Sequence, residues 1–158
     1  MGILKQKYFL LMVIFLFSCS LNSKYLPEDF FGLRLTKKLI GKEGKEFVNN
    51  LHFQSVTDLE NEIGFYEGKA GSAIIYITHY KTKEATKSNY KKMVKKISPE
   101  NSVFVKPEYL NLGEMEVYRC FGMGQSHYVF HYNKELFWIS VDTHFGKKFV
   151  EEYLNHIK

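Results

Sequence analysis

The chain lacks the sequence signatures that would name a function. No internal repeat, low-complexity tract or linker rich in proline, glycine and serine divides its 158 residues. Among the common motifs, a glycine-rich phosphate loop, a zinc-ligand spacing and a nucleophile elbow are all missing. The longest apolar run, Tyr8–Phe17, is ten residues long, whereas a helix needs about 20 to cross a bilayer. The sequence therefore gives no motif for catalysis and no permanent membrane-spanning segment.

The first residues have the three parts of an export signal. Lys5 and Lys7 form a short positive region, the apolar run follows, and a small residue, Ser18, precedes Cys19. Leu16-Phe17-Ser18-Cys19 resembles the lipobox of bacterial lipoprotein precursors, although Phe17 is bulkier than the residue usually found there. The resemblance covers only residues 1–20.

The resemblance implies a diacylglyceryl group on the sulfur of Cys19, cleavage before this residue, and acylation of the new amino terminus with a fatty acid such as palmitate. Residues 1–18 would then be the signal peptide, 19–24 the lipidated cysteine and a short tether, and 25–158 a single domain. Two or more acyl chains anchor a protein stably, so we expect a bacterial envelope protein on the periplasmic or surface face of a membrane. The alternative is an ordinary secretory signal in which Cys19 is incidental.

Cleavage of the signal changes the charge and the cysteine chemistry. The formal net charge falls from +5 to +3, because residues 1–18 contain Lys5 and Lys7 and no acid. Such a small surplus is weak evidence for an anionic partner. Cys120 is left without a partner for an internal disulfide and is interpreted as a small buried hydrophobic residue, with an intermolecular bond as the alternative.

Periodicity predicts an α+β domain of two layers, in which an antiparallel sheet carries its helices mainly on one face. We expect helices at about 42–51, 83–97 and 145–157. The second has the clearest signals, since Thr82 suits the N-cap and Ser98-Pro99 ends it. Its apolar side consists of Tyr90, Met93, Val94 and Ile97.

The predicted strands are joined by tight turns and must therefore be antiparallel neighbours. Glycines at 68 and 71, Gly113, Gly122-Met123-Gly124 and Asn133-Lys134 mark those turns. The strands are expected at Glu62–Glu67, Ser72–Lys81, Val103–Lys106, Tyr109–Leu112, Met115–Phe121, Gln125–Tyr132 and Glu135–Asp142.

Histidine is where a metal or catalytic interpretation would begin. His127 and His131 lie four apart, but on a predicted strand that spacing separates them by about 13 Å, too far for two ligands of one zinc ion. His79 and His127 remain weak metal candidates. Neither Cys120 nor Ser126 has the surroundings of a nucleophile, so we predict no catalytic residues and no cofactor.

Lysines recur along the second helix, and Lys83, Lys87, Lys91, Lys92 and Lys95 form a row (the lysine row) on the side away from Met93. Such a row could bind acidic headgroups, an anionic glycan or an acidic protein, or could simply be a solvated helix surface. An exported protein is not expected to meet nucleic acid.

Two functions stay open on these grounds. The favoured one is a non-catalytic binding or structural module of the envelope, tethered through Cys19 and partnered by a protein, lipid or glycan. The alternative is a small envelope enzyme with a His-based or metal-assisted site that gathers His79, His127, Cys120 or Asp142.

Overall fold

The structure, a computed structural model, describes residues 23–51 and 58–158, which form eight strands and three helices. The predicted signal peptide, Cys19 and the first part of the tether lie outside these residues. The strands are β1 (Asp29–Phe30), β2 (Leu33–Gly41), β3 (Asn61–Gly68), β4 (Gly71–His79), β5 (Val105–Leu112), β6 (Met115–Gly122), β7 (Gln125–Tyr132) and β8 (Glu135–Asp142). The helices are α1 (Lys42–Leu51), α2 (Lys83–Lys96) and α3 (Gly146–Ile157).

The strands form one antiparallel sheet in the order β1-β2-β3-β4-β8-β7-β6-β5. Two meanders, β2 to β4 and β5 to β8, meet where β4 pairs with β8. α2 carries the chain from the centre of the sheet towards its β5 edge. The expected turn at 122–124 is confirmed, and both Met123 (φ 51°) and Gly124 (φ 79°) have the left-handed backbone that a tight hairpin requires.

One face of the sheet is covered by α3 and is called the α3 face. Its side chains include Ile75, Phe130 and Ile139, all fully buried together with Phe149 of the helix. Residues that precede β1 pack on the same face, where Tyr25 meets Phe137 edge to face at 5.4 Å between ring centroids. Six residues of α3 are buried, so this face is closed by dense apolar packing.

The opposite face, called the α2 face, carries α1, α2 and the segment that follows α2. Its buried cluster contains Tyr90, Ile97, Phe104, Tyr118, Cys120, Val129 and Leu136. α1 reaches this face through Phe47, which contacts Phe65 of β3 at 5.6 Å. The α+β class is confirmed, as is the sharing of one face by α1 and α2. The prediction of two layers was wrong. Strands such as β8 have apolar side chains on both faces, and α3 covers the face opposite to α1 and α2. The sheet is therefore the middle of three layers.

The predicted helices agree with the structure to within one residue, and β7 and β8 begin and end where predicted. The strand predictions failed at three places. β5 is one strand and not two, because a register shift between Val105 and Glu108 interrupts its pairing without ending it. β1, which has only two residues, was missed. β2 was missed because a register shift between Leu35 and Lys37 interrupts its alternation of apolar and polar residues. No helix in the described residues is both long and apolar enough to span a membrane.

Candidate functional site

α2 presents the lysine row to solvent because of how its other side is held against the sheet. Thr82 caps the helix, its hydroxyl accepting a hydrogen bond from the Ala85 amide at 3.1 Å. Thr86 and Tyr90, four residues apart, are the buried residues of the helix, and this fixes its rotation. All five lysines of the row are consequently exposed. Within the described residues none of them lies within salt-bridge distance of a carboxylate.

A groove opens beside the first turns of α2, between the helix, the turn that joins β5 to β6, and the start of β6. Its volume is about 550 Å³, which is within the range of small-molecule sites. α2 supplies one wall, the turn between β5 and β6 a second, and the end of β7 a third. The residues that line it are Lys83, Glu84, Lys87, Tyr90, Glu114, Met115, Glu116, His131, Tyr132 and Asn133.

The floor of this groove holds a buried hydroxyl group without a partner. Tyr90 is 7% exposed, and its ring meets His131 edge to face at 5.2 Å. Its hydroxyl has no hydrogen-bond partner among the described residues, and the same is true of the neighbouring Tyr118. Burial raises the pKa of Tyr90, and the charge of Glu116 raises it further. The hydrogen-bonding capacity of this hydroxyl is therefore not used by the described part of the protein.

His131 lies between the charged walls of the groove. Its pKa is lowered by burial and by the charge of Lys87, while the charge of Glu116 acts in the opposite direction. The imidazole is therefore neutral at pH 7. The α2 wall, with Lys83, Lys87 and Glu84, keeps a net positive charge, and the opposite wall, with Glu114 and Glu116, is negative.

His79 belongs to a second polar cluster, on the α3 face. Its Nε2 lies 2.8 Å from Glu62 Oε1, and its Nδ1 lies 3.7 Å from Glu135 Oε1. The hydrogen bond to Glu62 raises the pKa of His79. Burial tends to raise the pKa of Glu62, but hydrogen bonds from His79 and Ser23 outweigh it and the pKa is lowered. Tyr25 packs beside them, and burial together with Glu135 raises its pKa to about 12.

His127 is buried in the α2 face, where its ring forms hydrogen bonds to three other residues. Its Nδ1 accepts hydrogen bonds from the Trp138 indole at 3.1 Å and the Ser140 hydroxyl at 2.9 Å. Its Nε2 donates to the Gly122 carbonyl at 2.9 Å, so the neutral tautomer with a proton on Nε2 is fixed. Burial lowers the pKa of this imidazole. Both ring nitrogens are occupied by the protein itself.

Cys120 is buried, as the sequence predicted, and pairs across the strands with His127. Burial raises the pKa of its thiol to about 11, so the reactive thiolate is scarce at neutral pH. His79 lies on the face opposite to His127, Cys120 and Asp142, and the four side chains share no cleft. The described residues contain no group of three ligands that could hold a metal ion.

The sequence singled out the lysine row but not the groove. Tyr90 was placed on the apolar side of α2, which is confirmed, but periodicity cannot show that its hydroxyl lacks a partner. Glu114 and Glu116, from the β5–β6 turn and the start of β6, gave no signal of their own, and His131 was considered only as a possible zinc partner of His127. The lipidation residue, Cys19, lies outside the described residues.

The architecture defines a class, an α+β protein built on one antiparallel sheet. No protein-family model matches the chain, and no curated protein matches it. Among solved structures it is similar to a GTP binding regulator from Thermotoga maritima, with 18% identity over 85% of this chain and 89% of that one and a TM-score of 0.48. A similarity of this size says nothing about what this chain binds.

Proposed function

We propose that this protein is a lipid-anchored binding module of a bacterial envelope, and that the lysine row on α2 binds an anionic glycan or acidic protein there. The single observation that carries the proposal is the exposure of five lysines on one side of α2, without carboxylate partners in the described structure. Unpaired lysines attract an anionic surface, and the attraction weakens as salt screens it. The envelope location in this proposal depends on the lipobox-like residues 16–19.

The position of Tyr25 bears on which partner the lysine row meets. The chain enters the fold on the α3 face, where the Tyr153 hydroxyl donates to the Tyr25 carbonyl at 2.7 Å, whereas α2 lies across the sheet. Residues 20–24 reach at most about 18 Å when extended. The axis of a helix packed on a sheet lies about 10 Å from that sheet, and the helix radius adds about 5 Å to the distance of its outer side. The row could lie flat on the anchoring bilayer only with the tether fully stretched, which favours another envelope component as the partner.

The anchor is tested by metabolic labelling with a palmitate analogue in a bacterial host. The wild-type chain should carry label and partition with membranes, and Cys19→Ser should lose the label and be released. Labelling that persists in Cys19→Ser would show that the lipid, if any, is elsewhere.

The binding surface is tested with the lipidated full chain on neutral phosphatidylcholine vesicles, using polygalacturonate as an acidic glycan probe and polyglutamate as an acidic protein probe. Lys91, Lys92 and Lys95, changed together to glutamate, should weaken binding at least about tenfold at low salt. A matched control places the same charge change on exposed lysines away from α2, at Lys37, Lys69 and Lys148. Equal losses in both triple variants would mean that net charge, and not the row, decides binding.

A further inference from the structure

The groove beside α2 has opposite charges on opposite walls that do not neutralise each other. Lys83 and Lys87 stand on the helix, and Glu114 and Glu116 on the β5–β6 side. Within the described residues no salt bridge joins the two pairs. Glu84 is the acid on the helix wall, and hydrogen bonds from its own backbone amide and from the cap residue Thr82 lower the pKa of its carboxyl. With two lysines and one carboxylate, this wall keeps a net positive charge.

An independent feature of the same groove points to a bound molecule. More than nine-tenths of Tyr90 is buried, and its hydroxyl has no partner among the described residues. Tyr90 lines the groove, and Glu116, which lines it too, is the charged group that acts on this hydroxyl. Buried polar groups in folded proteins are nearly always satisfied, and a ligand in the groove would satisfy this one.

We propose that the groove binds a small zwitterion, its anionic group at Lys83 and Lys87, its ammonium group at Glu114 and Glu116, and a polar atom between them hydrogen-bonded to the Tyr90 hydroxyl. Separate charges of both signs select such a molecule over a simple anion or cation, because either of those would meet one wall of like charge. Two sources share this chemistry, a short peptide with free termini and an aminoalkyl phosphate such as phosphoethanolamine. The groove volume of about 550 Å³ accommodates a ligand of either kind.

The test is isothermal titration calorimetry on the full-length protein in a nonionic detergent at low salt. The probes are trialanine, N-acetyl-trialanine, trialanine amide and phosphoethanolamine. We expect trialanine or phosphoethanolamine to bind, and the one that binds identifies the source. Removing either terminal charge of the peptide should weaken its binding about tenfold or more.

Variants connect each charge of the ligand to one wall. In Glu116→Gln the difference in affinity between the free and the N-acetylated peptide should become smaller, because the wall that recognises the ammonium group keeps only Glu114. In Lys87→Gln the difference between the free acid and the amide should become smaller, because only Lys83 remains on the other wall. If Glu116→Gln does not fold, Glu114→Gln, at an exposed position, provides the same comparison. Tyr90→Phe should weaken the binding of every probe that binds the wild type.

The matched control is Lys91→Gln with Lys95→Gln, two lysines on the same helix but outside the groove lining. This double variant should bind zwitterions like the wild type while losing affinity for polyanions. The two proposals, zwitterion binding in the groove and polyanion binding by the lysine row, can therefore be refuted separately. The proposal is overturned if neither zwitterion binds at millimolar concentration, if the blocked peptides bind as well as the free one, or if the control loses affinity as strongly as Lys87→Gln.

Discussion

The two faces of the sheet differ in how completely they are covered. α3 contributes six buried residues to the α3 face, including Phe149 and Tyr153, whereas α2 contributes Thr86 and Tyr90 to the α2 face. The α3 face is filled by aromatic rings from the N-terminal segment and the helix. The α2 face keeps an open groove lined by Tyr90, whose buried hydroxyl has no partner in the part of the chain that the structure describes. Closure by a helix with many apolar residues serves stability, and incomplete closure by a helix rich in lysine leaves room for a ligand.

The largest effect should come from the closed face. Phe149→Ala removes a fully buried ring that contacts Phe30 edge to face at 5.1 Å, and we expect a loss of about 3 to 5 kcal/mol in the free energy of unfolding. Urea titration followed by circular dichroism measures this quantity. Val103→Ala, at a residue that is 78% exposed, is the control and should change it by less than about 0.5 kcal/mol. Similar losses at both positions would contradict the closed packing.

A smaller effect should come from the contact between α1 and β3 on the α2 face. A Cβ added at Gly44 would collide with the backbone carbonyl of Asn61, which cannot move without disturbing the strand. Gly44→Ala should therefore destabilise the protein by about 2 kcal/mol, although alanine is the better helix former. The control is Asn50→Ala at an exposed position of the same helix. Stabilisation by Gly44→Ala in the same urea titration would show that α1 is not held this closely.

The rim of the α3 face should show a pH dependence of stability. The raised pKa of His79 gives stabilisation that is complete below its ordinary value of 6.5 and is lost as the pH rises through the raised pKa. The lowered pKa of Glu62 gives stabilisation that is complete above its ordinary value of 4.5 and is lost as the pH falls through the lowered pKa. His79→Gln should thus cost about 1 kcal/mol near pH 5.5 and less near pH 9.

Unfolding curves of wild type and His79→Gln at both pH values measure that difference. Glu135 and Tyr25 also face His79. Glu135→Gln removes the more distant carboxylate, at 3.7 Å, so its cost in stability should depend on pH less strongly than the cost of His79→Gln. A cost of His79→Gln that is the same at both pH values would contradict the ion pair.

The smallest stability effect should come from the open face. Tyr90→Phe removes only a hydroxyl that has no partner among residues 23–51 and 58–158, so the free energy of unfolding should change by less than about 0.5 kcal/mol or rise slightly. The same urea titration detects a change of this size when wild type and variant are measured side by side. A loss above about 1 kcal/mol would mean that the hydroxyl already has a partner in the folded protein. That result would contradict the contrast between the closed α3 face and an α2 face with an unsatisfied buried hydroxyl.

Much of the local structure could be predicted from the sequence. Thr82 and Ser98-Pro99 bounded α2 within one residue, and Asn133-Lys134 placed the turn between β7 and β8, because caps and turns depend on neighbouring residues. β2 could not be predicted, since the register shift after Leu35 hides its alternation. The assignment of α3 to the second face was also missed, because periodicity shows that a face is apolar but not which element covers it.

What the sequence by itself determined about this protein is the α+β class, most strand and helix boundaries, the exposed lysine row, and a lipobox-like start that remains a prediction. Only the tertiary structure decided that His79 lies across the sheet from His127, and that Tyr90, His131 and Glu116 meet in one groove. The physical reason is that local patterns arise from the backbone preferences and side chains of adjacent residues. A site depends on contacts between strands and helices that are distant in the chain, and these exist only once the sheet has formed.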